Sequence, residues 1–124
     1  MKDRIVDFLG KISINFKRSE ITYRNYIEAG KTYIHAKILK ECNREIRDLL
    51  LFNCFLLSEN LQKDALRLIV HYDIWLEKWN ELELKNKPGL DDEFIFQNKC
   101  TFPKDAEENL LNEFSKLKKD YLNI

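Results

Sequence analysis

The clearest pattern of apolar positions lies in residues 58–86, where apolar side chains recur at alternating steps of four and three. The stripe consists of Leu61, Ala65, Leu68, Tyr72, Trp75, Trp79 and Leu82. This spacing keeps side chains on one face of an α-helix. Ser58 is a favourable N-cap, and residues 85–89 combine two lysines with a Pro and a Gly, which end a helix. We therefore predict a helix over residues 58–86 whose tryptophan-bearing face packs against other helices.

Two further stripes predict a helix near each end of the chain. The first stripe consists of Ile5, Leu9, Ile12 and Phe16. The other consists of Ala106, Leu110, Phe114, Leu117 and Tyr121. Pro103 precedes the second stripe, and Pro is favoured in the first turn of a helix. The sequence thus predicts a short helix over residues 2–16 and a terminal helix that begins near Pro103.

Residues 20–57 contain no Pro and a single Gly, Gly30, and they follow Ser19, a natural N-cap. Apolar positions continue as Tyr23, Ile27, Gly30 and Ile34, and then, shifted around the helix, as Ile38, Cys42, Ile46, Leu49 and Asn53. The pattern fits one long second helix of about 35 residues, or roughly 50 Å. It also fits two helices that meet near residues 41–43. The longer helix would extend beyond a monomer of this size unless a second chain covered it.

Residues 49–57 are apolar on every side of a helix except at Asn53, so they need to be covered on every side. A buried Asn must find hydrogen-bond partners. Asn53 is therefore expected either to bond to a backbone carbonyl or facing side chain, or to meet its symmetry mate in a dimer. The short link from Leu57 to Leu61 predicts that the two flanking helices fold back as an antiparallel hairpin.

Residues 93–98 differ from the rest because Phe94 and Phe96 alternate with their neighbours, as in an extended segment. Such a segment either clamps over the helices or pairs with another subunit. The predicted fold is all-α: one domain over residues 1–124, an antiparallel bundle of four to five helices, with a long second helix and this extended segment before the C-terminal helix.

The composition fits a globular domain, with 44% hydrophobic and 34% charged residues and a formal net charge of zero. The charge is uneven, because residues 10–47 carry nine Lys or Arg against four Glu, and residues 48–124 carry ten against fifteen acidic residues. The two halves are expected to attract each other, within one chain or between subunits. Alternatively, residues 17–47 present a basic face to nucleic acid, with tyrosines to stack on bases. The residues of that face are Arg24, Lys31, Lys37, Tyr26 and Tyr33.

Sequence motifs for catalysis, metal or cofactors are missing, since no glycine-rich phosphate loop, HExxH or CxxC occurs. No cofactor or metal site is predicted. The best catalytic candidates are Arg67 and His71, one helical turn apart, because an Arg can bind a phosphate while an imidazole moves a proton. In this the chain is similar to small helical HEPN-type ribonucleases, although three apolar residues separate the pair where that family has a polar residue after the Arg and a longer spacing. The alternative is a partly buried His71 with Arg67 at the rim of the stripe.

The expected function is a non-catalytic interaction or scaffolding subunit that associates with itself or with a partner protein. The residues expected at that interface are Leu50, Asn53, Leu57, Trp75, Trp79, Phe94 and Phe96. A nucleic-acid-associated protein is the first alternative, and a ribonuclease using Arg67 and His71 is the second. No apolar run approaches the ~20 residues of a membrane span, and the first ten residues lack the apolar core of a signal peptide. A cytoplasmic protein is therefore expected.

Overall fold

The computed structural model describes residues 2–97 and 101–122. These residues form four α-helices, α1 (Lys2–Glu28), α2 (Tyr33–Asn53), α3 (Glu59–Asn86) and α4 (Lys104–Leu122), with a 3-10 turn at Cys54–Leu56. The described residues contain no strand. Helix α1 packs against α2 and α4, and α3 packs against the same two helices. The all-α prediction is confirmed.

The predicted boundary between the first two helices is wrong. Helix α1 continues through Ser19 to Glu28, and the chain turns at residues 29–32 instead. Gly30 adopts a positive φ of 82°, which suits the left-handed end of a helix. Ser19 lies inside α1 and does not cap a helix. Its hydroxyl instead donates to Asn43 Oδ1 on α2 at 2.9 Å. There is consequently no long second helix over residues 20–57.

The predictions for the third and fourth helices are confirmed. Helix α3 begins after Ser58, whose side chain accepts a hydrogen bond from the Leu61 N–H at 3.4 Å. The predicted stripe is the buried face of α3, with Ala65 and Leu68 fully enclosed. Helix α4 begins directly after Pro103, and the Tyr121 side chain lies outside the described part of the chain.

The apolar run 49–57 does not form one helix. Helix α2 ends at Asn53, and the 3-10 turn then leads to the N-cap of α3. Asn53 donates to the Leu49 carbonyl one turn earlier at 2.9 Å, which is the bond to a backbone carbonyl expected from the sequence. The run is also incompletely covered, since Phe52 and Phe55 are 70% and 61% exposed.

The buried side chains form two clusters. The larger joins all four helices and includes Leu9, Ile46, Leu68 and Leu110. The smaller surrounds Trp79 and consists of Tyr26, Tyr33, Ala36, Trp75, Trp79 and Phe94. Among the described residues, α4 contributes to the larger cluster and not to the smaller one. The smaller cluster is therefore closed by the segment that precedes α4.

That segment, predicted as extended over about 93–98, has no regular secondary structure at residues 94–97, and residue 98 lies outside the described residues. An isolated antiparallel bridge joins Thr32 to Glu93. The Phe94 N–H donates to the Lys31 carbonyl at 2.8 Å, and the Phe94 ring is 1% exposed. The segment is thus fixed to the turn between α1 and α2. None of the described helices has both the length and the apolar character that crossing a membrane requires.

Candidate functional site

A cleft of about 1050 Å³ lies beside the smaller cluster and is lined by residues of all four helices and of the segment before α4. We call it the aromatic cleft, because eight Phe, Tyr and Trp rings line it. They belong to Phe16, Tyr23, Tyr26, Tyr72, Trp75, Trp79, Phe96 and Phe102. The Trp75 and Phe96 rings meet edge to face, with centroids 5.1 Å apart. Pockets of this size and apolar character are typical of small-molecule sites.

Among the polar side chains that line the cleft, His71, Tyr72 and Glu107 form no hydrogen bond to any described residue. The imidazole of His71 is half-buried against the rings of Tyr72 and Phe102, at 5.5 and 5.2 Å, and burial lowers its pKa. The imidazole is therefore predominantly neutral at pH 7.

Burial also shifts the pKa values of the other two groups. Burial raises the pKa of the Tyr72 hydroxyl, and the charge of Glu107 adds to the effect. Burial also raises the pKa of Glu107, which Lys104 lowers and Glu20 raises. Carboxyl groups with a raised pKa are common at binding and catalytic sites.

Arg67 and His71 contact different neighbours. Arg67 donates two hydrogen bonds to the Asp105 carboxylate, at 2.8 and 2.9 Å, and its guanidinium lowers the pKa of Asp105. Asp64 lies 3.6 Å away on the same helix. His71 lines the aromatic cleft, and Arg67 is not among the residues that line it. Arg67 thus links α3 to α4, and the ribonuclease role of the pair stays a prediction.

Most side chains predicted at an interface contact their own chain. Five of them are at most 8% exposed: Leu50, Leu57, Trp75, Trp79 and Phe94. Asn53 and Phe96 are partly buried. An interface through the five buried side chains would require the core to open.

Some of the exposed apolar side chains lie one or two residues away from the predicted interface residues. Phe52 and Phe55 form what we call the aromatic surface, and Leu51 beside them is 45% exposed. A shallow pocket of about 330 Å³, lined partly by Glu45 and Asp48, adjoins Phe52. Sequence periodicity missed these residues because it treated 49–57 as uniformly buried.

The tyrosines predicted to stack on bases have their hydroxyls bonded inside the fold. The Tyr26 hydroxyl donates to the Phe94 carbonyl, and the Tyr33 hydroxyl donates to Glu83. Both rings are buried. The Lys37 ammonium lies over the Tyr33 ring, 5.5 Å from its centroid.

Several basic residues of the region 17–47 are neutralised by the chain itself. Arg24 pairs with Glu20 one turn earlier. Arg47 pairs with Asp73 on α3 at 2.7 Å, which joins the basic half of the sequence to the acidic half. Lys31 occupies the left-handed turn between α1 and α2. A role of this face in binding nucleic acid stays a prediction.

Within the described ranges, no group of three or more His, Cys, Asp or Glu side chains is arranged to hold a metal ion. No protein-family model matches the chain, and neither curated proteins nor solved structures provide a match.

Proposed function

We propose that this protein is a non-catalytic interaction subunit, an antiparallel helical bundle that associates with a second copy of itself through the aromatic surface. The observation that carries the proposal is the exposure of Phe52 and Phe55, at 70% and 61%, in a stretch whose other apolar side chains are more covered. Large exposed rings of this kind are favoured at the centres of protein interfaces.

The size of this surface suits the central part of an interface. A phenylalanine buries on the order of 200 Å², so the exposed parts of the two rings amount to roughly 250 Å² per copy. A stable interface covers about 800 Å² per partner, and its energy is concentrated in a few central aromatic anchors. Phe52 and Phe55 would thus supply about a third of such an interface, and the surrounding polar residues would form the rim.

The charges around the aromatic surface favour a second copy as the partner. Glu45 pairs with Arg18 and Asp48 pairs with Arg47, both at 2.8 Å within one chain. The Arg4 guanidinium lies over the Phe55 ring at 5.6 Å. Because these carboxylates are already neutralised and the formal net charge is zero, two copies can bring the same surface together without net repulsion.

Sedimentation equilibrium of the wild-type chain and of a Phe52→Ser/Phe55→Ser double variant tests the proposal. We expect the wild type to show twice the 14.9 kDa mass of one chain at micromolar concentration. Loss of two anchors worth about 1–2 kcal/mol each should weaken the dimer roughly 100-fold. The matched control is Leu84→Ser, which removes a 73% exposed apolar side chain near the end of α3.

The double variant should keep the wild-type circular dichroism spectrum, because both rings are mostly exposed. A wild-type chain that sediments as a monomer at high micromolar concentration would refute the proposal. Equal weakening by Leu84→Ser would also refute it, since the effect would then not depend on the aromatic surface.

A further inference from the structure

We infer that the aromatic cleft binds a planar aromatic molecule that carries a positive charge. The walls provide the first argument. Trp75 and Phe96 meet edge to face at 5.1 Å, and Tyr23 and Tyr26 lie 6.2 Å apart on α1. Aromatic faces attract both flat rings and cations. The volume of about 1050 Å³ is large enough for a molecule of several fused rings.

The second argument is an unpartnered polar group in the wall of the cleft. Trp79 lines the cleft, and its Nε1–H is buried without a hydrogen-bond partner among the described residues. The Tyr72 hydroxyl lines the same cleft and also forms no hydrogen bond to a described residue. Buried polar groups in folded proteins are nearly always hydrogen-bonded, to protein, water or ligand. A ligand in the cleft would provide the missing partner.

The sign of the ligand's charge follows from Glu107. This carboxyl group is half-buried and forms no ion pair with a described residue. The other charged side chains at the cleft, Lys17, Glu20 and Lys104, are exposed and can extend into water. Burial without an ion pair is the main cause of the raised pKa of Glu107, and Lys104 offsets it only in part. A cation bound beside this carboxylate would offset the rest. Neutral His71 adds no opposing charge.

The test compares two tricyclic probes of opposite charge, 9-aminoacridine and acridine-9-carboxylate, by NMR titration. Both tryptophans line the cleft, so their two indole N–H signals report its occupancy. We expect 9-aminoacridine to shift both signals and to bind at least tenfold more tightly than the carboxylate. This comparison uses the wild-type chain and does not depend on the folding of a variant.

Glu107→Gln and Glu108→Gln form the matched pair of variants, since Glu108 is the next residue on α4 and is exposed. We expect Glu107→Gln to weaken binding of 9-aminoacridine about tenfold, as for loss of one charge-assisted contact, and Glu108→Gln to bind like the wild type. Tyr72→Phe should weaken binding by about threefold while keeping the ring.

If neither probe shifts the two indole N–H signals, the proposed binding site is refuted. If both probes bind with equal affinity, or if the two glutamine variants weaken binding of 9-aminoacridine equally, the proposed positive charge of the ligand is refuted. The inference is independent of self-association, because a Phe52→Ser/Phe55→Ser chain should bind 9-aminoacridine like the wild type.

Discussion

Replacement of Phe94 by alanine tests how the smaller cluster is closed. The Phe94 ring is 1% exposed and lies 4.8 Å from the ring of Trp79 and 5.4 Å from that of Tyr33, measured between centroids. The substitution leaves the backbone bond from the Phe94 N–H to the Lys31 carbonyl in place. It therefore isolates the contribution of the ring from that of the segment's backbone.

The expected cost is about 3–5 kcal/mol in the free energy of unfolding. A fully buried phenylalanine removes on the order of 200 Å² from water, which at ~25 cal/mol per Å² gives roughly 5 kcal/mol as an upper limit. Measured Phe→Ala substitutions in cores cost about 3–5 kcal/mol, including the cavity left behind. For a chain of 124 residues this corresponds to a fall of roughly 10–20 °C in Tm.

Urea denaturation followed by circular dichroism measures the effect, with Ile95→Ala as the control. Ile95 is the next residue in the same segment and is 49% exposed, so its truncation should cost less than about 1 kcal/mol. The slope of the unfolding free energy against urea should stay unchanged in both variants. A loss below about 1 kcal/mol for Phe94→Ala, or one equal to that of Ile95→Ala, would contradict the packing described here.

Three further predictions concern single positions. The hydrogen bond to Glu83, with burial, raises the pKa of Tyr33 to about 12 from 10.0. The Tyr33 hydroxyl therefore loses its proton at a lower pH in the unfolded chain than in the folded one, so the free energy of unfolding should fall between pH 10 and 12. In Tyr33→Phe this fall should be smaller, as measured by urea denaturation across that range. Gly30→Ala should lower the free energy of unfolding by about 1–2 kcal/mol, as measured by thermal denaturation. The cost comes from backbone strain at a φ of 82°, since the added Cβ would meet no described atom within 4 Å. Arg67→Ala should raise the pKa of Asp105 toward its ordinary value, as measured by NMR titration, because the guanidinium is the first cause of its depression.

Helix α3 was predictable because every local preference agrees with its packing. Ser58 caps its start, residues 85–89 contain the residues that end a helix, and the stripe between them is the face that the fold buries. The same agreement holds for α4 after Pro103. Where capping residues, apolar periodicity and burial agree, the sequence is sufficient to predict the helix and its buried face.

The turn between α1 and α2 was missed because apolar spacing continues across it. Tyr23, Ile27 and Ile34 share helical spacing, yet they are 53%, 42% and 41% exposed. The residues that face the core there are Tyr26 and Tyr33 instead. Gly30 was the signal that marks the turn, and its meaning depends on a positive φ that periodicity does not report.

The candidate sites were predictable only in part, since they depend on which side chains remain open after packing. Trp75 and Trp79 were correctly placed on a buried face of α3, but one side of that face borders a cleft. Glu107 gave no signal in the sequence, because a glutamate in the first turns of a helix is ordinary. Its half-buried position arises from where α4 meets α1 and α3.

The cleft depends on how all four helices pack together. Its lining runs from Ser13 and Tyr26 on α1 and Ala36 on α2 to Trp75 on α3 and Glu107 on α4. No single stripe of apolar residues reports such a site, because each stripe shows only which face of its own helix is buried.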